Sequence, residues 1–288
     1  VPDLDWDTTV FVLLAPDALA RHHGRAVLDR LARAGYAPVG WRLLWHRPAD
    51  LDAFHEQNIT RAWKAYLYRL VDRLFAYGPT VALLVADQRA APGRNSHARL
   101  RAVKGGSEPA DSAAGTIRGD LGSINAMLAL MHSADTPADS RHESAVFTGD
   151  QGFEYGDPAG LRAALELLER GGVPERRGYP QVLAGVRARL LAAAWPELGA
   201  PARATVAGLL AGAADLAAAG TGGRLAEVLP AGHPLRAVLC HDFSPDDPGP
   251  DIDRIRPVLR PYGTDLDPWE DLVLATSRRF SPRRAPAR

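Results

Sequence analysis

His132 stands fourteen residues after Arg118 and eleven before Glu143, with Arg101, Lys104 and Asp135 in the same stretch. An imidazole nitrogen is a nucleophile near neutral pH. A carboxylate can hold the ring in one orientation and tautomer, and arginines neutralise phosphate oxygens with forked donors. His132 has no metal-ligand partner at ligand spacing. The set therefore suits taking a phosphoryl group onto nitrogen. Such transfer asks mainly for positioning and charge neutralisation. By itself the pattern is weak, because 34 Lys and Arg and nine His make chance groupings common.

The bulk of the chain bounds what can surround this set. Its 288 residues are enough for one large domain or two ordinary ones. Hydrophobic and charged fractions of 46% and 24% are those of a soluble globular protein. Zero formal net charge gives no global pull toward nucleic acid or a membrane surface. Cys240 is the single cysteine, so no internal disulfide can form, as suits a reducing cytoplasm. The acidic start, Val1 to Asp7, carries no apolar leader, so no signal peptide is expected. No apolar run reaches the roughly 20 residues that span a bilayer. The best candidate, Thr205 to Ala214, reads as a buried helix.

The first half mixes β-branched runs with amphipathic helices. Thr9 to Leu14 reads as a buried strand, and Pro16-Asp17 opens a helix whose core face is Leu19, Val27, Leu28 and Leu31, with Gly35 as its stop. Pro38 to Trp45 is a second strand. Residues 60–77 form a helix with Trp63, Leu67, Leu70, Val71 and Leu74 at helical spacing, and Thr80 to Ala86 is a third strand. Asn95 caps a short helix to about Val103. Ala126 to His132 holds a fourth strand, although its pattern is equally helical. Thr136-Pro137 starts another helix, with Thr as N-cap. This order permits a split βαβ, ferredoxin-like sheet, and periodicity alone does not separate that from a doubly wound one.

The second half is rich in Ala, Leu and Arg, and helices are expected near 158–171, 180–194, 201–218, 234–241 and 267–279. Gly220-Thr-Gly-Gly223 lacks a preceding strand and reads as a flexible turn rather than a phosphate loop. Asp242 to Asp253 reads as a solvated acidic loop, since its spacing is not that of an EF-hand. The basic, Pro-rich tail from Arg278 is expected to be mobile. Two domains follow, 1–150 and 151–288.

Several segments of the first half resemble the nucleoside diphosphate kinase family. Ala15-Pro16-Asp17 stands where the family has Lys-Pro-Asp. Gly78-Pro79-Thr80-Val81-Ala82 precedes the third strand as in the family. Arg101 stands six before Ser107 in Gly105-Gly106-Ser107-Glu108-Pro109, like the family's arginine before Gly-x-Thr-x-Pro. Pro109-Ala-Asp-Ser112 and Gly115-Thr-Ile-Arg-Gly-Asp120 match nearly letter for letter. His132-Ser-Ala-Asp135-Thr136 and Glu143 keep the spacing of the family's histidine segment. The resemblance covers about residues 8–147 and is not found beyond 150.

The resemblance implies an α+β fold: a ferredoxin-like antiparallel sheet with flanking helices, followed here by a mostly helical C-terminal domain. It implies that His132 accepts the γ-phosphoryl of ATP and passes it to a second nucleotide or nucleotide-like acceptor. Glu143 would orient the ring. Arg101 and Arg118 would clamp phosphates, with Ser107, Asp135 and Lys104 nearby. Mg²⁺ would arrive with ATP, held largely by its phosphates. A cytoplasmic protein is implied, without nucleic-acid or membrane partners, and a homo-oligomer is left open. The departures are specific. The family's lysine is Ala15, with Arg21, His22, Arg25 or Lys104 as replacements. The family's asparagine is Ala129, with Asn125 further back and one extra residue between Asp120 and His132. Ser133-Ala134 replaces Gly-Ser, and the family's tyrosine aligns near Ile59, with Tyr66 and Tyr68 close by. Three readings follow: a phosphohistidine phosphotransferase, a nucleotide-binding module without turnover, or another nucleotide-dependent reaction with His132 as base.

Overall fold

The computed structural model describes residues 3–46, 65–171, 175–211, 215–218 and 220–284. The chain forms two compact units. The first comprises 1–123 and 127–176, and the second comprises 124–126 and 177–288.

The first unit is built on β1 (Thr9–Leu14), a fully buried run. Helices α1 (Pro16–Ala20) and α2 (Gly24–Arg33) follow. The single helix expected over this stretch is therefore two. The break is at His22, whose φ of 56° is left-handed and cannot continue a helix. Strand β2 (Tyr36–Leu44) leads through the undescribed 47–64 to α3 (Ala65–Tyr77). Ile59 and Trp63 lie outside the described residues, as do the side chains of Tyr66 and Leu67. Strand β3 (Thr80–Asp87) precedes α4 (Ser96–Lys104), which Asn95 caps by accepting from the Ala98 N–H at 2.9 Å. The short α5 (Ile117–Leu121) then leads to β4 (Met131–Ser133), α6 (Pro137–Thr148), β5 (Glu154–Tyr155) and α7 (Pro158–Arg170).

The strands pair antiparallel in the order β4-β1-β3-β2-β5. The run β4-β1-β3-β2 follows the ferredoxin-like order, as expected, and β5 extends the sheet beside β2. Strand β4 is three residues long rather than seven. Leu130, at φ 71°, breaks the extended run before it.

Alternation sorts the two faces. Val10, Val12 and Leu14 join Val27, Leu28, Leu31, Leu100 and Ile117 on one side, where Leu161 and Leu165 of α7 also pack. Phe11 and Leu13 join Val71, Phe75, Ala82, Leu84, Ala134 and Phe147 on the other. His132 pairs with Leu13, so its ring belongs to the second face, the side that α6 covers.

The second unit is helical, as expected. It contains α8 (Tyr179–Ala194), α9 (Ala200–Leu210), α10 (Thr221–Val228), α11 (Arg236–Leu239), α12 (Ile252–Leu259) and α13 (Pro268–Ser277). Gly220-Thr-Gly-Gly223 is not a flexible turn but the start of α10. A Cβ on Gly222 would lie 2.0 Å from the Cys240 carbonyl oxygen, so its glycine allows two backbones to meet. The acidic loop is not solvated at its head either. Asp242 is buried and accepts from Arg187 and Arg284 at 2.8 and 3.2 Å. Arg187 is itself buried and also donates from its Nη groups to the carbonyls of Leu216 and His241, which offsets much of the cost of a charge in the core. The described part of the basic tail is tied down: Arg278 donates to the carbonyls of Pro248 and Gly249, and Arg284 to Asp242 and to Ser244 Oγ.

Candidate active site around His132

Strand β4 is held from several sides. Thr116 caps α5, accepting from the Gly119 N–H at 3.0 Å while its hydroxyl donates to Ala113 O at 2.7 Å. Gly119 has no room for a side chain, because a Cβ there would lie 2.1 Å from Ala113 O. This tight turn presents Arg118. Its Nε donates to Ala129 O at 3.0 Å, Nη2 to Met131 O at 2.7 Å and Nη1 to Gly105 O at 3.2 Å. Arg118 is 7% exposed. Desolvation pushes its pKa down to about 10, against the pull of Asp17. Arg118, expected as a phosphate clamp, is a buried bracket here that binds the entry to β4 and the Gly105 turn.

Asp17 completes the bracket. Its carboxylate is fully buried and accepts from the Leu130 N–H at 2.9 Å, while the Ala15 N–H donates to Leu130 O at 3.0 Å. Burial raises the Asp17 pKa to about 6, opposed first by the Leu130 hydrogen bond. A leucine at φ 71° is strained, and it persists because Asp17, Ala15 and Arg118 over-determine residues 129–131.

The carboxylate beside His132 comes from α6. Thr136 caps this helix, accepting from the Asp139 N–H, with Pro137 in its first turn. Ser140 fixes its position. The Phe11 N–H of β1 donates to Ser140 Oγ at 3.0 Å, and His97 Nε2 lies 2.9 Å from the same hydroxyl. Three residues on, Glu143 Oε2 lies 2.7 Å from His132 Nε2. A carboxylate oxygen at this distance accepts from an Nε2–H, and in the neutral ring that tautomer puts the lone pair on Nδ1. The His132 side chain is 44% exposed and that of Glu143 20%, so the pair is anchored yet open to a ligand.

Lys104 ends α4. Its Nζ donates at 2.8 Å to the Oγ of Ser133, which follows His132 in β4 and pairs with Val12. It is 7% exposed. Burial, helped by the charge of Arg118, lowers its pKa to about 8, against Asp135 and Glu143. Arg101, on the same helix, is exposed and lies 3.9 Å from the exposed Asp135. Ser107 is exposed in the turn that follows Gly105 and Gly106.

The structure thus gathers His132, Glu143, Lys104 and Arg118 about β4, with Arg101 and Asp135 paired at the rim. Other candidates are engaged elsewhere. Arg25 pairs with Glu169, and Arg21 donates to Gly122 O at 2.7 Å. Asn125 is buried against Thr276 and Ser277 in the second unit. Sequence reasoning missed the roles of Asp17 and Ser140. Their signals were the carboxylate directly after Pro16 and a serine three residues before Glu143. A cavity of about 600 Å³ in the first unit is lined by Asp7, Thr8, Arg94, Asn95 and His97 among others, and not by His132 or Glu143. Among the described residues no three His, Cys, Asp or Glu side chains group as metal ligands. No described helix is long and apolar enough to cross a membrane.

The family model for nucleoside diphosphate kinase matches residues 8–152. A nucleoside diphosphate kinase of Archaeoglobus fulgidus is 30% identical over 140 residues, which are 49% of this chain and 85% of that protein. One of Streptomyces avermitilis is 33% identical over 137 residues, 47% of this chain and 92% of that protein. The crystal structure of the apo nucleoside diphosphate kinase from Encephalitozoon cuniculi is similar over 54% of this chain and 99% of its own, with 18% identity and a TM-score of 0.42.

Proposed function

The chain belongs to the nucleoside diphosphate kinase family through residues 8–152, and from that premise we propose that it is a phosphotransferase working through a phosphohistidine at His132. The observation that carries the reading is the 2.7 Å bond from Glu143 to His132 Nε2, which leaves Nδ1 as the nucleophile. The Nδ1 lone pair attacks the γ-phosphorus of ATP. The bond from that phosphorus to the β–γ bridging oxygen breaks, and ADP departs with the electron pair. A terminal phosphate oxygen of a nucleotide or nucleotide-like acceptor then attacks the phosphorus, and the N–P bond breaks back onto Nδ1. The Nε2 proton stays on Glu143's side throughout, so the ring returns in its starting tautomer.

Arg101 is the mobile phosphate ligand in this reading, because its pairing with Asp135 at 3.9 Å is exposed and weak. Ser107 lends a hydroxyl at the same rim. Arg118 acts through its charge and through its grip on 129–131. Lys104 stands in for the lysine missing at Ala15, reaching the site beside Ser133. Mg²⁺ entering with ATP would be held largely by phosphate oxygens and would supply charge neutralisation. A nucleotide-rich cytoplasm is the setting this chemistry needs, and the catalytic part is the first unit, which keeps β5 and α7 beyond residue 150.

Ala15 and Ala129 favour a second reading, a nucleotide-binding module without turnover. The test is a chase. Protein labelled from γ-labelled ATP and freed of nucleotide is mixed with unlabelled nucleoside diphosphate. Transfer of label to triphosphate supports the phosphotransferase. ATP binding with no label on the protein supports the module.

A further inference from the structure

The segment between the Gly115–Asp120 turn and His132 leaves the first unit for three residues. Ile124, Asn125 and Ala126 belong to the second unit, while Ser123 and Met127 on either side belong to the first. Side-chain chemistry explains the excursion. Asn125 is fully buried, and its Nδ2 donates to Thr276 Oγ1 at 2.9 Å and to Ser277 Oγ at 3.2 Å, at the end of α13. The Thr276 hydroxyl proton is directed to Leu272 O and Val273 O, so its lone pairs face the amide. The carbonyl of Ile124 accepts from the Arg283 N–H at 2.7 Å. A buried amide satisfied in this way resists withdrawal, because its donors would lose partners without gaining water.

His132 follows Ala126 by six residues. Three of the intervening residues, Ala129, Leu130 and Met131, are bonded by Arg118 and Asp17. Met127 and Leu128 alone separate the two anchored stretches, and Leu128 is itself fully buried. A shift of 124–126 thus has little slack to absorb it before it reaches Leu130, whose φ of 71° exists only under constraint.

We propose that the helical unit sets the aim of His132 by holding Ile124–Ala126, and that Asn125, Thr276 and Ser277 are positioning residues for the nucleophile. The proposal rests on the phosphotransferase reading of the site. It gives residues 177–288 a task in the reaction without placing any of them against substrate. It also accounts for Asn125 and the longer interval before His132: the asparagine and the extra residue serve the grip of α13.

The test uses the full chain with Asn125→Ala, Thr276→Val and the conservative Thr276→Ser. Ser277→Ala, which removes the longer bond, serves as the mild variant if Asn125→Ala does not fold. Two readouts are taken: hydrogen exchange of the peptide 127–133, and the initial rate of acid-labile labelling by γ-labelled ATP across ATP concentrations. Asn125→Ala and Thr276→Val should exchange faster at 127–133. Their maximal labelling rate should fall about 10- to 100-fold, as expected for misplacement of a reacting group, with the ATP concentration for half-maximal rate unchanged. Thr276→Ser should restore both. Exchange equal to wild type in both disruptive variants would overturn the proposal, as would faster exchange with an unchanged labelling rate. Absence of label on wild type would instead remove the phosphotransferase reading, and the proposed role in the reaction with it, whatever the exchange shows.

Discussion

Replacing Lys104 by Met should make the protein more stable at neutral pH and less active. Lys104 is buried, and its pKa is lowered from 10.5 to about 8. A shift of that size corresponds to about 3 kcal/mol of penalty on the charged form. The folded pKa lies below the unfolded one, so the folded state binds fewer protons between the two values. Stability from this group is therefore low at pH 7, rises as pH passes 8, and is fully regained near 10.5. Methionine fills similar volume without charge and gives up the 2.8 Å bond to Ser133 Oγ, about 1 kcal/mol. The net gain for Lys104→Met is roughly 2 kcal/mol at pH 7, shrinking to nothing or reversing by about pH 10. Denaturant unfolding of both proteins from pH 6 to 10 reads this difference directly. Labelling at His132 should fall about 10- to 100-fold, the worth of one charge-assisted contact in the transition state. A variant less stable than wild type at pH 7, with unfolding curves that run parallel across pH, would refute the reasoning.

Three further outcomes are expected. Asp17→Asn should leave stability unchanged near pH 4 and raise it by up to roughly 3 kcal/mol at pH 8. The raised pKa of about 6 means that wild type loses stability as pH climbs through that value, whereas a neutral amide still accepts the Leu130 N–H; melting temperatures at the two pH values check this. Ser140→Ala leaves the Phe11 N–H and His97 Nε2 without their shared hydroxyl; unfolding should show a loss of about 1–3 kcal/mol. Glu143→Gln removes the charge that holds the Nε2 proton, and single-turnover labelling should slow about 10- to 100-fold while the melting temperature stays near wild type.

Much of the fold was legible because its signals are local. Thr9 to Leu14 is continuous and apolar, Asn95 and Thr136 are N-caps, and each begins what its chemistry announces. The pairing of His132 with Glu143 was legible for the same reason, since strand β4 and helix α6 adjoin in sequence. What stayed hidden depends on distant partners. Arg118 reads as a free cation until Ala129, Met131 and Gly105 present their carbonyls. Asp242 reads as solvated until Arg187 and Arg284 reach it. Gly220 to Gly223 resembles a loop until Cys240 O shows why a helix there starts with glycines. Leu130 delays the start of the expected strand because Asp17, 113 residues away, takes its N–H. No periodicity in 126–132 carries that information.

The central claim is that His132 Nδ1 carries the phosphoryl group because Glu143 occupies Nε2. The direct measurement is to incubate wild type and His132→Ala with γ-labelled ATP and Mg²⁺, quench in alkali, and identify the labelled ring nitrogen after hydrolysis. The account predicts acid-labile, base-stable label on Nδ1 of wild type and none on the variant. Label on Nε2, on another residue, or on neither protein would contradict it.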